Sequence, residues 1–162
     1  ISIGEVGLDF HNTKEDELKQ IQIKRFKKIL LELNKLNKPF VIHSRKAEKE
    51  CIDILEELNI KKVLFHCFTG RYKLAKRIED NGWYFSIPPI ITRSSHFQGM
   101  VKQTSINSML TETDAPYLAP DKEQRNEPIY IKQTLKKIAE IKELTQQEVE
   151  KNIFFNYQKL FS

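Results

Sequence analysis

This sequence predicts an α/β fold, a parallel sheet covered by helices. Three observations carry that prediction. Short apolar runs alternate with amphipathic stretches along the chain. The runs are continuously apolar, as in strands buried on both faces. One of them, Met109-Leu110, leads directly into Thr111-Glu112-Thr113-Asp114-Ala115-Pro116-Tyr117, where a proline stops the ladder just after two carboxylates. Asp114 is therefore expected just beyond a strand's carboxyl end, where α/β proteins bind ligands and metals. A single acid there can equally be a helix cap or a turn former. Five strand-helix units are too few to close an eight-stranded barrel. The pattern leaves a small open doubly wound sheet or the carboxyl-terminal part of a (β/α)8 barrel. Neither G-x-G-x-x-G nor a Walker A pattern is present, which disfavours the nucleotide-binding version of the open sheet.

The elements follow in order. A first strand is predicted over residues 2–8. Leu18, Ile21, Phe26, Ile29, Leu30, Leu33 and Leu36 recur at helical steps and predict a helix over 15–36. Thr13 followed by Asp16 is its expected capping box. Pro39 ends it, and Phe40-Val41-Ile42-His43 forms the second strand. A helix over 46–58 offers Ala47, Cys51, Ile52, Leu55 and Leu58 to a core. Val63 to His66 is the third strand, and a short helix from Arg71 to Asp80 stops at Asn81-Gly82. Trp83 to Ile87 is the fourth strand, closed by Pro88-Pro89. Residues 94–106 are ambiguous, consistent with one short helix. The fifth strand covers 108–112. A polar loop through Pro120 and Pro128 then leads to helices over 129–142 and 145–158, the second opened by a Thr145–Glu148 capping box.

At 162 residues the chain suffices for one domain with a core, and no Gly- or Ser-rich linker divides it, so 1–162 reads as a single domain. No apolar run approaches the roughly 20 residues of a membrane span, and no signal-peptide pattern opens the chain. Cys51 and Cys67 are too few for a disulfide scaffold, so a reducing cytoplasm is the expected compartment. The net charge of +5 sits mostly on lysines of the predicted helices. It suits attraction to polyanions, but it is also what a solvated helix face looks like. The chain opens at Ile1 within what reads as a mid-protein strand, which suggests a fragment.

One kind of residue recurs at the strand ends. Glu5 lies in the first strand, His43 ends the second, His66 ends the third, and Asp114 follows the fifth. Two imidazoles and two carboxylates from four strands would converge on one mouth of a parallel sheet or barrel. This mix of nitrogen and oxygen donors suits Zn²⁺, Mn²⁺ or Mg²⁺. A carboxylate such as Asp114 could orient or deprotonate a metal-activated water. The separations of 38, 23 and 48 residues form no compact ligand motif, so the site depends on the fold. A histidine ending an apolar run is also commonly a satisfied core residue. His96, among polar residues, reads as a surface histidine. Cys51 has helical core spacing, and Cys67 lacks a nearby second cysteine. Cys67 and His66 as a nucleophile pair fails because adjacent strand residues face opposite ways. Arg45, two residues beyond His43, and Arg125-Asn126 on the loop after Asp114 are candidate contacts to an anionic group, arginine being suited to bidentate phosphate binding.

With these residues in place, the chain resembles the TatD family of metal-dependent deoxyribonucleases. The resemblance rests on Gly4-Glu5-Val6-Gly7-Leu8-Asp9-Phe10-His11, His43-Ser44-Arg45, His66-Cys67-Phe68-Thr69-Gly70, Glu112 to Tyr117, Arg125-Asn126-Glu127-Pro128 and the closing Asn156 to Phe161. It spans the whole chain in the family's order. It implies a (β/α)8 TIM barrel of the amidohydrolase-like kind, of which this chain is a partial barrel matching strands four to eight. It also implies one or two divalent metal ions held by Glu5, His43, His66 and Asp114, with Asp114 helping to activate water, and DNA as the substrate. Arg45, Arg125 and Asn126 would then touch the nucleic acid. The family's opening strand carries His-x-His, which supplies two metal ligands, and these 162 residues contain no His-x-His.

The leading functional expectation is therefore hydrolysis of phosphodiester bonds in DNA. A second is hydrolysis of an amide, ester or lactone by the same centre, since this barrel hosts many substrates. A third is a catalytically incompetent partial barrel that acts through a partner, or through self-association along exposed strand edges. The roles of Asp9, His11 and Glu112 stay open at this level.

Overall fold

Residue alternation along the strands sets the architecture. The computed structural model describes all 162 residues. Its strands are β1 (Ile3–Asp9), β2 (Phe40–Arg45), β3 (Val63–Phe65), β4 (Tyr84–Ile87) and β5 (Met109–Thr111). They form one fully parallel sheet in the order β1-β2-β3-β4-β5, so each strand pairs with its chain neighbour. Phe40, Ile42, Val63, Phe65 and Phe85 point to one face and are completely buried. Each contributes roughly 1.5–3 kcal/mol by leaving water. They are covered by helices α1 (Asp16–Leu33), α2 (Glu48–Glu57), α3 (Tyr72–Asp80) and α4 (Ser95–Gln103).

The intervening residues Val41, Leu64 and Ser86 point to the other face. There they share a cavity of about 450 Å³ with Leu110 and with Ile153, Phe154, Tyr157 and Phe161. Those last four residues come from α6 (Gln146–Phe161), which follows α5 (Ile131–Lys142). Asn156 fixes α6 beside β5: its buried amide donates to the carbonyls of Ile106 and Met109, both at 2.8 Å.

The boundaries follow the sequence with local exceptions. The first helix follows Glu15, whose side chain makes no capping hydrogen bond. The expected Thr13–Asp16 box does not form, because the Thr13 hydroxyl accepts from the Gln22 amide at 2.6 Å instead. The helix ends at Leu33, short of the expected 36, and Asn34–Leu36 form a 3-10 turn; Phe26 and Leu30 are buried, whereas Leu18, Ile21 and, beyond the helix, Leu36 are exposed. The helix packs on β1, which is itself a sheet edge, so only part of its apolar stripe is covered. The Thr145–Glu148 box is present, with both reciprocal bonds made. The ambiguous stretch forms α4, with the Ser94 hydroxyl accepting from the Phe97 N–H at 3.4 Å. No helix is long and apolar enough to cross a membrane.

Candidate metal centre

The period of two that buries Phe40, Ile42, Val63 and Phe65 sends His43 and His66 to the opposite face, at the carboxyl ends of β2 and β3. Ile42 pairs with Phe65, so the next residues on the two strands, the histidines, are neighbours. Glu5 reaches His43 from β1, where Gly7 pairs with His43. Glu112 follows β5 on the same face as Leu110, and Asp114 lies two residues further on, with φ at +57°.

Each imidazole is held at Nδ1 by a carboxylate. His43 Nδ1 lies 2.8 Å from Glu5 Oε1, and His66 Nδ1 lies 2.7 Å from Glu112 Oε2. Each Nε2 then faces an aspartate: His43 Nε2 is 3.5 Å from Asp9 Oδ2, and His66 Nε2 is 3.6 Å from Asp114 Oδ1. A carboxylate on the far nitrogen of a ring is the usual way a metal-binding histidine is oriented.

Asp9 and Glu112, whose roles the sequence leaves open, both take part. Asp9 accepts from the N–H groups of His11 and Asn12 at 2.9 and 3.0 Å. Burial alone would raise its carboxyl, but those donors, the Asn12 side chain and His43 hold it below the ordinary value. Glu112 is nearly enclosed. Its Oε2 receives the Ser86 hydroxyl and, at 3.3 Å, the Cys67 N–H, while its Oε1 is buried without a hydrogen-bond partner. The Glu112 hydrogen bond, opposed by burial and aided by the charges of Glu112, Glu5 and Asp114, pushes His66 up to about 9. Burial raises Asp114, with His66 pulling the other way and Glu112 and Glu5 adding to the rise.

The other predicted residues fall into distinct places. Arg45 lines the mouth together with His43, His66 and Asp114, in a cavity of about 540 Å³. Arg125 is exposed on the following loop and does not line that cavity. Asn126 is 1% exposed, and its polar atoms are engaged within the loop. Its amide donates to the carbonyls of Thr113 and Tyr117, and its oxygen accepts from the Glu127 N–H at 2.9 Å. His96 is not the free surface residue expected: it is half-buried, stacks on Tyr72 at 5.7 Å, and its Nε2 is buried without a partner. Cys51 is buried, which pushes its thiol up to about 12, and burial followed by the nearby acids raises Cys67 as well. Neither thiol is poised as a ligand.

The donor chemistry fits a divalent cation. His43, His66 and Asp114 line one mouth, Glu5 and Asp9 line an adjoining hollow with His43, and the free oxygen of Glu112 adds an unsatisfied acceptor. The 3.5 and 3.6 Å separations are close to the roughly 3.3 Å between two ligands of a tetrahedral ion with bonds near 2.0–2.1 Å. The arrangement is one of pairs, however. No three of these side chains are gathered about a single point.

Comparison with known proteins converges on one family. The family model described as TatD related DNase matches residues 1–162. An uncharacterized metal-dependent hydrolase of Methanocaldococcus jannaschii is 37% identical over 161 residues, 99% of this chain and 62% of the relative. The human protein named Deoxyribonuclease TATDN3 is 38% identical over 167 residues, 99% of this chain and 60% of its own length. The chain thus spans about three fifths of the curated relatives it matches. A crystal structure of the TatD homologue YJJV from Escherichia coli superposes with a TM-score of 0.89 at 23% identity, covering 99% of this chain and 63% of that one. A TatD-family hydrolase of Entamoeba histolytica superposes at 0.84 with 22% identity over 99% of this chain and 62% of its own. The five parallel strands are thus an arc of the TIM barrel that these structures share. A full-length family match and relatives above 35% identity place the chain in the TatD family.

Proposed function

We propose that this chain carries most of the active site of a metal-dependent hydrolase that cleaves phosphodiester bonds in DNA. The observation that carries the proposal is the pair of carboxylate-held imidazoles on neighbouring strands whose Nε2 atoms face Asp9 and Asp114. His43, His66, Asp114 and Glu5 would hold one or two ions of Mg²⁺, Mn²⁺ or Zn²⁺. When bound, such an ion supplies positive charge at the phosphoryl oxygens and makes water more acidic. The chain's own groups do the rest. Glu5 and Glu112 fix the rings of His43 and His66 so that Nε2 faces the mouth. Asp114, raised by burial, is suited to take the proton of the attacking water. Arg45 offers the mouth an exposed guanidinium, unpaired within the protein, for the phosphate. Asn126 shapes the loop behind Asp114, and Arg125 reaches the nucleic acid only further from the reacting phosphate.

Hydrolysis of a neutral amide, ester or lactone is the second reading, and it gives Arg45 no task. The free outer edge of β1 would pair with a further strand, from the same protein or another chain. The test is nucleotide release from end-labelled single-stranded DNA, with Mg²⁺, Mn²⁺ or Zn²⁺ against chelator, in the protein and its Asp114→Asn variant. Metal-dependent release that disappears in the variant supports the proposal. Cleavage of an ester substrate with no cleavage of DNA would shift it to the second reading.

A further inference from the structure

Beside the mouth lies a second and larger cavity, about 860 Å³, between the N-terminal ends of α2 and α3. Six cations line it: Arg45, Lys46, Lys49, Arg71, Lys73 and Arg77, against the two carboxylates of Glu48 and Glu50. Some of this charge is spent within the protein. Lys49 pairs with Asp53, Arg77 pairs with Asp53 and Glu56, and Glu48 accepts from the Thr69 hydroxyl at 3.2 Å. Arg45, Lys46, Arg71 and Lys73 are exposed and form no ion pair with the protein. The lining has one apolar residue, Leu74, so the cavity is unsuited to an apolar small molecule. Helix α3 opens onto it with no side-chain cap and no acid in its first turn, leaving unpaired N–H groups and a positive helix end.

The cavity adjoins the candidate centre, with Arg45 and Thr69 lining both. A ligand reaching from one to the other passes Arg45 and then meets the unpaired cations Lys46, Arg71 and Lys73, which favours one with repeated negative charge. We infer that this groove is a track for the sugar-phosphate backbone of a single nucleic-acid strand. Arg45 stands at its entrance, and Lys46, Arg71 and Lys73 contact successive phosphates beyond the one that is cleaved. This rests on the phosphodiesterase reading and adds to it a place for the flanking nucleotides.

The test is the salt dependence of binding. Fluorescence anisotropy with a labelled 12-nucleotide single strand, in chelator, compares the protein with an Arg71→Gln/Lys73→Gln double variant. A Lys132→Gln/Lys136→Gln variant on α5 serves as an equal-charge control. Each phosphate contact contributes ~0.7 to the slope of log Kd against log salt. Loss of two therefore lowers the slope by roughly 1.4 and weakens binding by roughly 60-fold at 0.05 M salt, reckoned from 1 M. The α5 variant is expected to keep its slope and its Kd within twofold. Unchanged binding in the groove variant overturns the inference, as does an equal loss in both variants, which would mean net charge alone. Competition by polyglutamate as strong as by the oligonucleotide also overturns it. Hydrolysis of bis(4-nitrophenyl) phosphate, too small to span the groove, should be the same in all three proteins. Its absence from all of them would strike the hydrolase reading, and the chelator titration would still decide the groove.

Discussion

Gly7 ties the backbone to the centre, and Gly7→Ala tests that tie. Gly7 pairs with His43 across β1 and β2, with φ at +155°. A Cβ built there lies 1.8 Å from the His43 carbonyl oxygen, where real Cβ contacts stay beyond 3.0 Å. The obstacle is backbone, so no side chain can move aside, and β1 must retreat by at least 1.2 Å, the difference between those distances. The neighbouring ladder bond from the Phe10 N–H to the Arg45 carbonyl, now 2.9 Å, would stretch to about 4 Å and break. Two or three such bonds, together with the polar groups they strand, amount to roughly 3–5 kcal/mol. The Glu5–His43 contact of 2.8 Å would open as well. A displacement of about 1 Å at reacting groups costs on the order of 100-fold in rate. Gly82→Ala is the comparison. Gly82 has φ at +69° but nothing within 4 Å, so its cost is only that of the left-handed conformation, about 1–2 kcal/mol. Urea denaturation and metal-dependent phosphodiester cleavage measure both variants. A Gly7→Ala midpoint no lower than that of Gly82→Ala would refute this account of the β1–β2 contact.

Three other substitutions probe the remaining parts of the site and fold. Glu112→Gln loosens the hold on His66 Nδ1, and calorimetric titration with Mn²⁺ or Zn²⁺ should show affinity lowered roughly 10- to 100-fold; unchanged affinity would remove Glu112 from the centre. Asn126→Ala strands the carbonyls of Thr113 and Tyr117 and the Glu127 N–H, so the urea midpoint should fall by the equivalent of about 2–4 kcal/mol. The Arg77 guanidinium, opposed in part by burial, holds Glu56 below its ordinary value of 4.5. A carboxyl lowered in the folded state adds stability that is complete above the unfolded value and lost as pH falls through the folded one. Arg77→Gln should therefore flatten the decline of Tm between roughly pH 5 and 3, and an unaltered slope would count against that pair.

The strands after β1 were legible because each is a short apolar run that ends at a histidine or runs on to a proline, and the period of two then fixed which side chains share a face. His43, His66 and Asp114 could be placed at strand ends on that basis alone. What could not be read depended on distance in the chain. Glu112 meets His66 across 46 residues, and only its same-face spacing from Leu110 hinted at it. Asp9 was hidden by a turn in which it accepts from the next residues, a role that many loop aspartates play. Asn126 looked like a polar loop residue because burial by loop closure leaves no periodic trace. Thr13 looked like a cap until Gln22, a turn and more away, competed for its hydroxyl. The apolar stripe of α1 was read correctly as helical, but how much of it is covered depends on where β1 stands in the sheet.

The neighbour-by-neighbour order of the sheet also has a kinetic meaning. The paired residues Gly7 and His43, Ile42 and Phe65, Phe65 and Phe85, and Phe85 and Met109 are separated by 36, 23, 20 and 24 positions. By the logarithmic cost of loop closure, the longest of these connections exceeds the shortest by only about 0.5 kcal/mol. No pairing has to wait for a distant one, and the sheet can nucleate at any junction and extend from it. The Glu112–His66 bond differs in kind: it joins β3 to the end of β5 across β4, so it needs three strands in place. The His66 half of the candidate centre is therefore expected to order only with the complete β3–β5 arc, whereas the Glu5–His43 half needs β1 and β2 alone.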